Sequence, residues 1–312
     1  MLGFGKYRYT LLVTVSAAAL VVSVERGFAA DLAPTCNDHW WFAAEGQYLL
    51  YDGDSAKYGT TGVDPEFRFR LKPDDGWGVG GEIGFQPACS PWSFLGRVRY
   101  GESNKDDDSH YSTFDGGFGT AADADHREHH IVADLEIGRD VGLGALKDGM
   151  NLRLFAGLRF AHFKGKGSYN YSTWGGDAYD LDVKREFTGI GPRIGFDAML
   201  PLSEQFSLDL GAAGAVLFGK QKYKAEGHYS TFSGASGDTQ DKRSKTVAVP
   251  NLEASAAFSW LISDNAKFSL GYRVDSYWDI YDNGLTFGHR DEGDRIIHGP
   301  FIKFTIGTGD GG

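Results

Sequence analysis

Fifteen charged residues recur at every second position within otherwise apolar stretches, and they bound the chemistry open to this chain. The acids are Glu45, Glu82, Asp134, Glu136, Asp197, Asp209, Glu253 and Asp275. The bases are Arg97, Arg99, Arg153, Arg159, Arg193, Arg273 and Lys303. Singly, each is the solvated face of a strand. On the inner face of a closed sheet they become rings of opposed charge. In a wide lumen such rings set a field and select ions; in a narrow one they pair across it.

A second cluster has the look of a metal site. His126, Glu128 and His130 share one face of an extended segment, and nitrogen and oxygen ligands at that spacing suit zinc. No thiolate or supporting ligand accompanies them, so a polar rim where loop meets strand is the expectation, with no metal and no cofactor. Nucleophile elbow, H-E-x-x-H and Gly-rich phosphate loop are all missing from the sequence, so the expectation is a non-enzyme.

These charges need strands to position them. The alternation predicts about ten, near residues 40–51, 77–86, 92–101, 128–139, 151–163, 185–200, 205–218, 247–260, 267–280 and 295–306. A count between eight and twelve fits the pattern. The connections near 87–91, 140–150, 201–204 and 261–266 are short. Those near 52–76, 102–127, 164–184, 219–246 and 281–294 are long. The expected fold is therefore all-β: an antiparallel up-and-down transmembrane barrel with short periplasmic turns, long extracellular loops and both termini in the periplasm. Pro192 lacks a ladder donor and predicts a bulge. Phe67, Phe69 and Leu71 alternate with arginines and predict an extension of the second strand above the membrane. Trp40, Trp41, Trp92 and Trp260 fall at short-turn ends, and Trp77 and Trp278 at long-loop ends. Aromatic girdles at the two interfaces predict that distribution.

The 312 residues carry a formal charge of −11 and a mean hydropathy of −0.33. That value suits strands with only one lipid-facing side. Lys6 and Arg8 followed by an apolar run resemble a cleaved leader over residues 1–30, with cleavage after Ala29 or Ala30. Its removal takes away Lys6, Arg8, Arg26 and Glu25 and brings the charge to −13. Residues 31–312 then read as one domain. Such acidity argues against nucleic acid as a partner. The expected partners are outer-membrane lipid and lipopolysaccharide, small solutes or ions, and the barrel-assembly machinery of a Gram-negative envelope; the oligomeric state stays open. Cys36 and Cys89 suggest one disulfide in an oxidising compartment, with two free thiols as the alternative.

One motif recurs in three long connections: His110-Tyr111-Ser112-Thr113-Phe114, Tyr171-Ser172-Thr173-Trp174 and His228-Tyr229-Ser230-Thr231-Phe232. Duplication of a hairpin would account for it. It reads as an exposed aromatic surface for a glycan or receptor, or as residues that merely order loop tips.

Several motifs occur together in an order that resembles one family. They include Glu45-Gly46-Gln47-Tyr48-Leu49, Asp134-Leu135-Glu136-Ile137-Gly138 and Phe155-Ala156-Gly157-Leu158-Arg159-Phe160. Gly189-Ile190-Gly191-Pro192-Arg193-Ile194-Gly195, Val249-Pro250-Asn251-Leu252-Glu253, Gly271-Tyr272-Arg273-Val274 and Gly299-Pro300-Phe301 follow. The order is similar to the Legionella-type major outer membrane proteins. That resemblance implies a barrel and a pore-forming role, and no catalytic residues. The resulting expectation is a narrow, porin-like pore for small solutes or ions. The alternative is a non-conducting surface barrel whose loops bind a host or envelope ligand.

Overall fold

A computed structural model describes residues 37–59, 68–113, 119–141, 150–263, 265–283 and 292–308. The expected leader, Cys36, Phe67 and Phe114 lie outside them. The strands are β1 (His39–Gly53), β2 (Ala56–Gly59), β3 (Arg68–Leu71), β4 (Gly76–Gln86), β5 (Trp92–Ser103), β6 (Asp106–Thr113), β7 (Gly119–Asp140), β8 (Asn151–Thr173), β9 (Ala178–Pro201), β10 (Phe206–Ser230), β11 (Ser236–Ser263), β12 (Ala266–Asp282) and β13 (Glu292–Thr308).

Ten of these close a ring. Each of β7 to β13 pairs antiparallel with the next, β13 pairs with β1, and β1, β4, β5 and β7 complete the circuit. The seam runs from Trp40 opposite Thr308 to Gly53 opposite Arg295. Closure pairs the backbone of every strand on both sides, which a sheet in lipid requires because hydrocarbon offers no hydrogen bonds. The short connections gather at one end of the ring, together with His39 and Thr308.

Strict alternation separates the two faces. On β7, Ile131, Leu135 and Ile137 point out while Val132, Asp134 and Glu136 are buried within. On β10 the outward row runs from Phe206 through Leu208 and Val216 to Phe218. The twelve steps from Phe206 to Phe218, at a rise of about 3.3 Å and a tilt of about 40°, give roughly 30 Å of height, close to a membrane's apolar thickness.

Several sequence expectations change. The long connections at 102–127, 164–184 and 219–246 are largely strand, not loop. β6–β7, β8–β9 and β10–β11 continue as paired hairpins well beyond the apolar band. There the outward residues turn polar while the ladder persists. β2 and β3 form their own two-stranded sheet and do not extend β4. Ala56 and Leu71 are buried in a cluster with Ala124, Tyr169 and Val183, so this hairpin folds over the interior at the long-loop end. Pro192 produces no register shift: the pairing of β9 with β10 skips it and resumes in the same register. Neighbouring Gly191 absorbs the distortion, for a Cβ there would lie 1.7 Å from the Val216 carbonyl oxygen. The shifts occur instead between Leu261 and Ser263 and between Tyr277 and Tyr281.

Candidate functional site

All fifteen predicted lining residues point into the ring, and each meets an opposite charge there. They form tiers. At the short-turn end, Lys267 Nζ donates to Asp209 at 2.8 Å, and Arg153 bridges Glu136 at 3.1 Å and Asp197 at 3.0 Å. Next, Arg97 and Lys303 both donate to Glu82 Oε2 at 3.0 Å.

The middle tier is denser. Register places Asp134 opposite Arg159, and the carboxylate takes two bonds from that guanidinium, at 2.7 and 2.8 Å. Glu253 is the hub. It accepts from Arg99 at 2.8 Å, Arg159 at 2.5 Å and Arg193 at 3.2 Å, drawing on three strands far apart in sequence. Arg99 also reaches Asp275 at 2.8 Å, and Arg273 clasps Glu45. Arg159, Arg193, Asp134 and Glu136 are almost wholly buried. Charges so far from water persist only because every one is paired and hydrogen-bonded.

Above this tier lies an apolar layer that includes Leu49, Phe163, Phe187, Leu217, Val249 and Tyr281. The His126, Glu128 and His130 rim is split in use. His126 Nε2 meets Glu128 Oε1 at 2.8 Å, and the same oxygen accepts from Arg295 at 2.6 Å. His130 stacks on Phe163. Glu128 serves a guanidinium, so the three do not converge as ligands.

Open space fills the lumen at the short-turn end and narrows toward the middle tier. A cavity of about 500 Å³ opens among short-turn residues such as His39, Asp140 and Asn265 and rises to Glu82, Arg97 and Arg193. A second, of about 10 Å³, lies between Glu45, Glu82, Arg97, Arg99 and Lys303. A third, of about 20 Å³, is bounded by Glu45, Arg99, His130, Asp275 and Tyr277. The last two are about the size of one water.

Trp40, Trp77, Trp92, Trp260 and Trp278 are outward and 39–50% exposed, as a lipid girdle requires. Trp41 is a correction. It follows Trp40 in a strand, so it must face in; its Nε1 donates to Glu82 at 3.1 Å and it lines the large cavity. Gly84 makes room, since a Cβ there would fall 1.9 Å from the Trp41 ring. Cys89 sits in the turn between β4 and β5 and is disulfide-bonded. Asn251, inward by the alternation of its strand, accepts from Arg159 at 2.6 Å. Lys267, Arg185 and Arg295 also face in, beyond the fifteen charges expected from the sequence. Lys267 lies in register with the inward rows and follows from the same alternation. Arg185 and Arg295 lie beyond the apolar band, where outward polar residues hide the pattern.

A closed antiparallel ring with an apolar outer band and a charged interior defines a transmembrane β-barrel. More particularly, residues 39–307 match the family described as the Legionella pneumophila major outer membrane protein precursor, and the chain belongs to that family of outer membrane proteins. No curated protein sequence matches the chain. Among solved structures it is similar to the outer membrane protease OmpT of Escherichia coli, at 11% identity and a TM-score of 0.44, covering 89% of this chain and 99% of that one. It is also similar to a major outer membrane protein of Thermus thermophilus (11%, TM-score 0.31, 86% and 99%). A third is the toluene transporter TodX of Pseudomonas putida (6%, TM-score 0.27, 86% and 89%). Likeness at this level carries no argument about activity.

Proposed function

We propose that this outer-membrane barrel is a narrow, porin-like pore for passive movement of small solutes or ions, without a catalytic role. The observation that carries the reading is the file of cavities from the short-turn mouth past Glu82, Arg97 and Arg99 to Tyr277. The hydroxyls of Tyr51, Tyr277 and Tyr281 support it. They are buried just above the ion-pair tier and find no hydrogen-bond partner among the described residues. Buried hydroxyls in that situation call for water. In this conformation the apolar layer closes the upper lumen, so conduction needs that layer to part.

The short turns and both termini are assigned to the periplasm, and residues 31–312 to one domain that follows a cleaved leader. The fifteen inward charges are the lining, and Cys89 is bridged to Cys36 at the periplasmic end. Lipopolysaccharide, the permeating solute and the assembly machinery are the partners this role requires.

Planar-bilayer recording of the purified protein tests the reading. Small, discrete steps are expected. Silent insertions, with the protein shown to be folded by its heat-dependent gel mobility, would overturn it.

A further inference from the structure

The outer face of the hairpins carries a cationic belt immediately above the apolar band. Register aligns Arg127, Lys166, Lys184, Lys224 and Lys242 in one cross-strand row over β7, β8, β9, β10 and β11. At about 4.8 Å per strand the row is roughly 19 Å long. One step toward the membrane, Lys164 and Lys222 flank Glu186. The next step holds Lys220, and the one below it Phe160, Ile190 and Phe218. One step outward from the belt the sign reverses, with Asp182 beside Glu226. The intervening residues Phe163, Phe187 and Tyr223 are buried, which fixes the lysines on the outside.

This arrangement is costly by itself. Like charges directly opposite on neighbouring strands repel. Lys184 leans on Glu186 at 2.6 Å and Lys224 on Glu226 at 2.5 Å. Among the described residues Lys166, Lys220, Lys222 and Lys242 make no ion pair. Arg127 leans on Glu102 at 3.6 Å. A chain of net charge −11 has here collected eight cations, and only Glu102, Glu186 and Glu226 pair with any of them among the described residues. An anion fixed at this level would offset the repulsion. The level is that of lipid headgroups, with acyl chains against Phe160, Ile190 and Phe218.

We propose that this belt is a binding site for a phosphorylated glycolipid of the outer leaflet, its phosphates seated on the Lys166–Lys184–Lys224–Lys242 row. The inference rests on the orientation assigned above, with the long hairpins outside the cell.

The test uses the full-length protein in nanodiscs with diphosphoryl lipid A or its dephosphorylated form, and native mass spectrometry reads retained lipid. Diphosphoryl lipid A is expected to bind at least about tenfold more tightly, with an affinity that falls as salt rises. The triple variant Lys184→Gln, Lys224→Gln, Lys242→Gln should lose that preference, while Lys72→Gln, outside the belt, should keep it. Equal retention of the two lipids by the native protein, or an unchanged preference in the triple variant, would overturn the site. Protease or label access to the hairpin tips on intact cells separates the two ideas. Tips reached only after lysis would remove the orientation and the belt together. Tips reached on intact cells, with no phosphate preference, would remove the belt alone.

Discussion

Arg159 grips Asp134 side-on across the β7–β8 seam, Nε to Oδ1 at 2.7 Å and Nη2 to Oδ2 at 2.8 Å, with both side chains almost fully buried. The same guanidinium reaches Asn251 at 2.6 Å and Glu253 at 2.5 Å, so one residue ties β7, β8 and β11 together through the lumen. Removing one partner of a buried ion pair leaves the other charge unpaired, at a cost of about 3–5 kcal/mol. Arg159→Leu should therefore lower barrel stability by that order, read from urea unfolding in detergent. Exposed Arg127→Leu should change it by less than about 1 kcal/mol. Equal effects of the two substitutions would show that the mid-barrel tier contributes nothing special.

The smallest of the three cavities on the proposed path, about 10 Å³, lies beside Gly80. A Cβ there would meet Arg99 Cγ at 3.2 Å and Glu45 Cβ at 3.6 Å. Gly80→Val should fill the small cavity between Glu82 and Arg99 and cut single-channel conductance severalfold. Arg97→Gln should instead leave a path but remove a positive charge from its wall. Reversal potentials in a salt gradient should then move toward cation preference. A Gly80→Val channel of native conductance would place the path elsewhere.

Trp41 and Trp40 are adjacent in sequence and face opposite solvents. Trp41 lines the large cavity, whereas Trp40 is 42% exposed on the outer face and packs on Phe85. In single-tryptophan proteins, iodide should quench Trp41 more strongly than Trp40. Brominated lipid should show the reverse. The same quencher order at both positions would contradict the inward placement of Trp41.

Alternation made the ring legible because its period is two and both faces are strongly selected. Ile131, Leu135 and Ile137 must meet lipid, and Asp134 and Glu136 must not. Ten strands and fifteen inward charges followed from that signal. It faded where the outward face left the membrane. Along β8, outward Leu154, Leu158 and Phe160 give way to His162, Lys164 and Lys166, while Ala161 and Phe163 stay buried. Polar residues on one face and mixed ones on the other resemble loop, so the hairpin extensions went unseen. The recurring Thr-aromatic tips had a clearer cause. Thr173 and Thr231 build the same turn, accepting from Gly176 and Gly234, whose φ values are +87° and +83°. Pairing partners inside the lumen were not legible either. Glu253 gathers Arg99, Arg159 and Arg193 through ring closure, which no local spacing encodes.

The rim at the long-loop end should respond to acid in two stages. His126 lies above the apolar band, and burial pushes its imidazole below the ordinary 6.5; Glu128 opposes that shift, and Arg185 and Arg295 add to it. The closed rim thus refuses a proton that an opened one accepts. Its stability is full above about pH 6.5 and falls as pH drops below that, until the lower value of the closed form is reached. For Glu128, burial alone would raise the carboxyl, but Arg295 and then His126 overcome it and hold it at about 2. Its contribution is present above about 4.5 and is lost as pH falls toward 2. Between pH 6.5 and 4.5 Glu128 keeps its charge and the change falls to the histidines: burial lowers His129 and His130 as it does His126. Amide exchange in β6 and the upper part of β7 should therefore quicken from pH 7.5 to pH 5.5, after correction for intrinsic rates. His126→Gln keeps a polar side chain without the titration, so it should reduce that rise, leaving the share of His129 and His130. The same rise in the variant as in the native protein would remove His126 as its source.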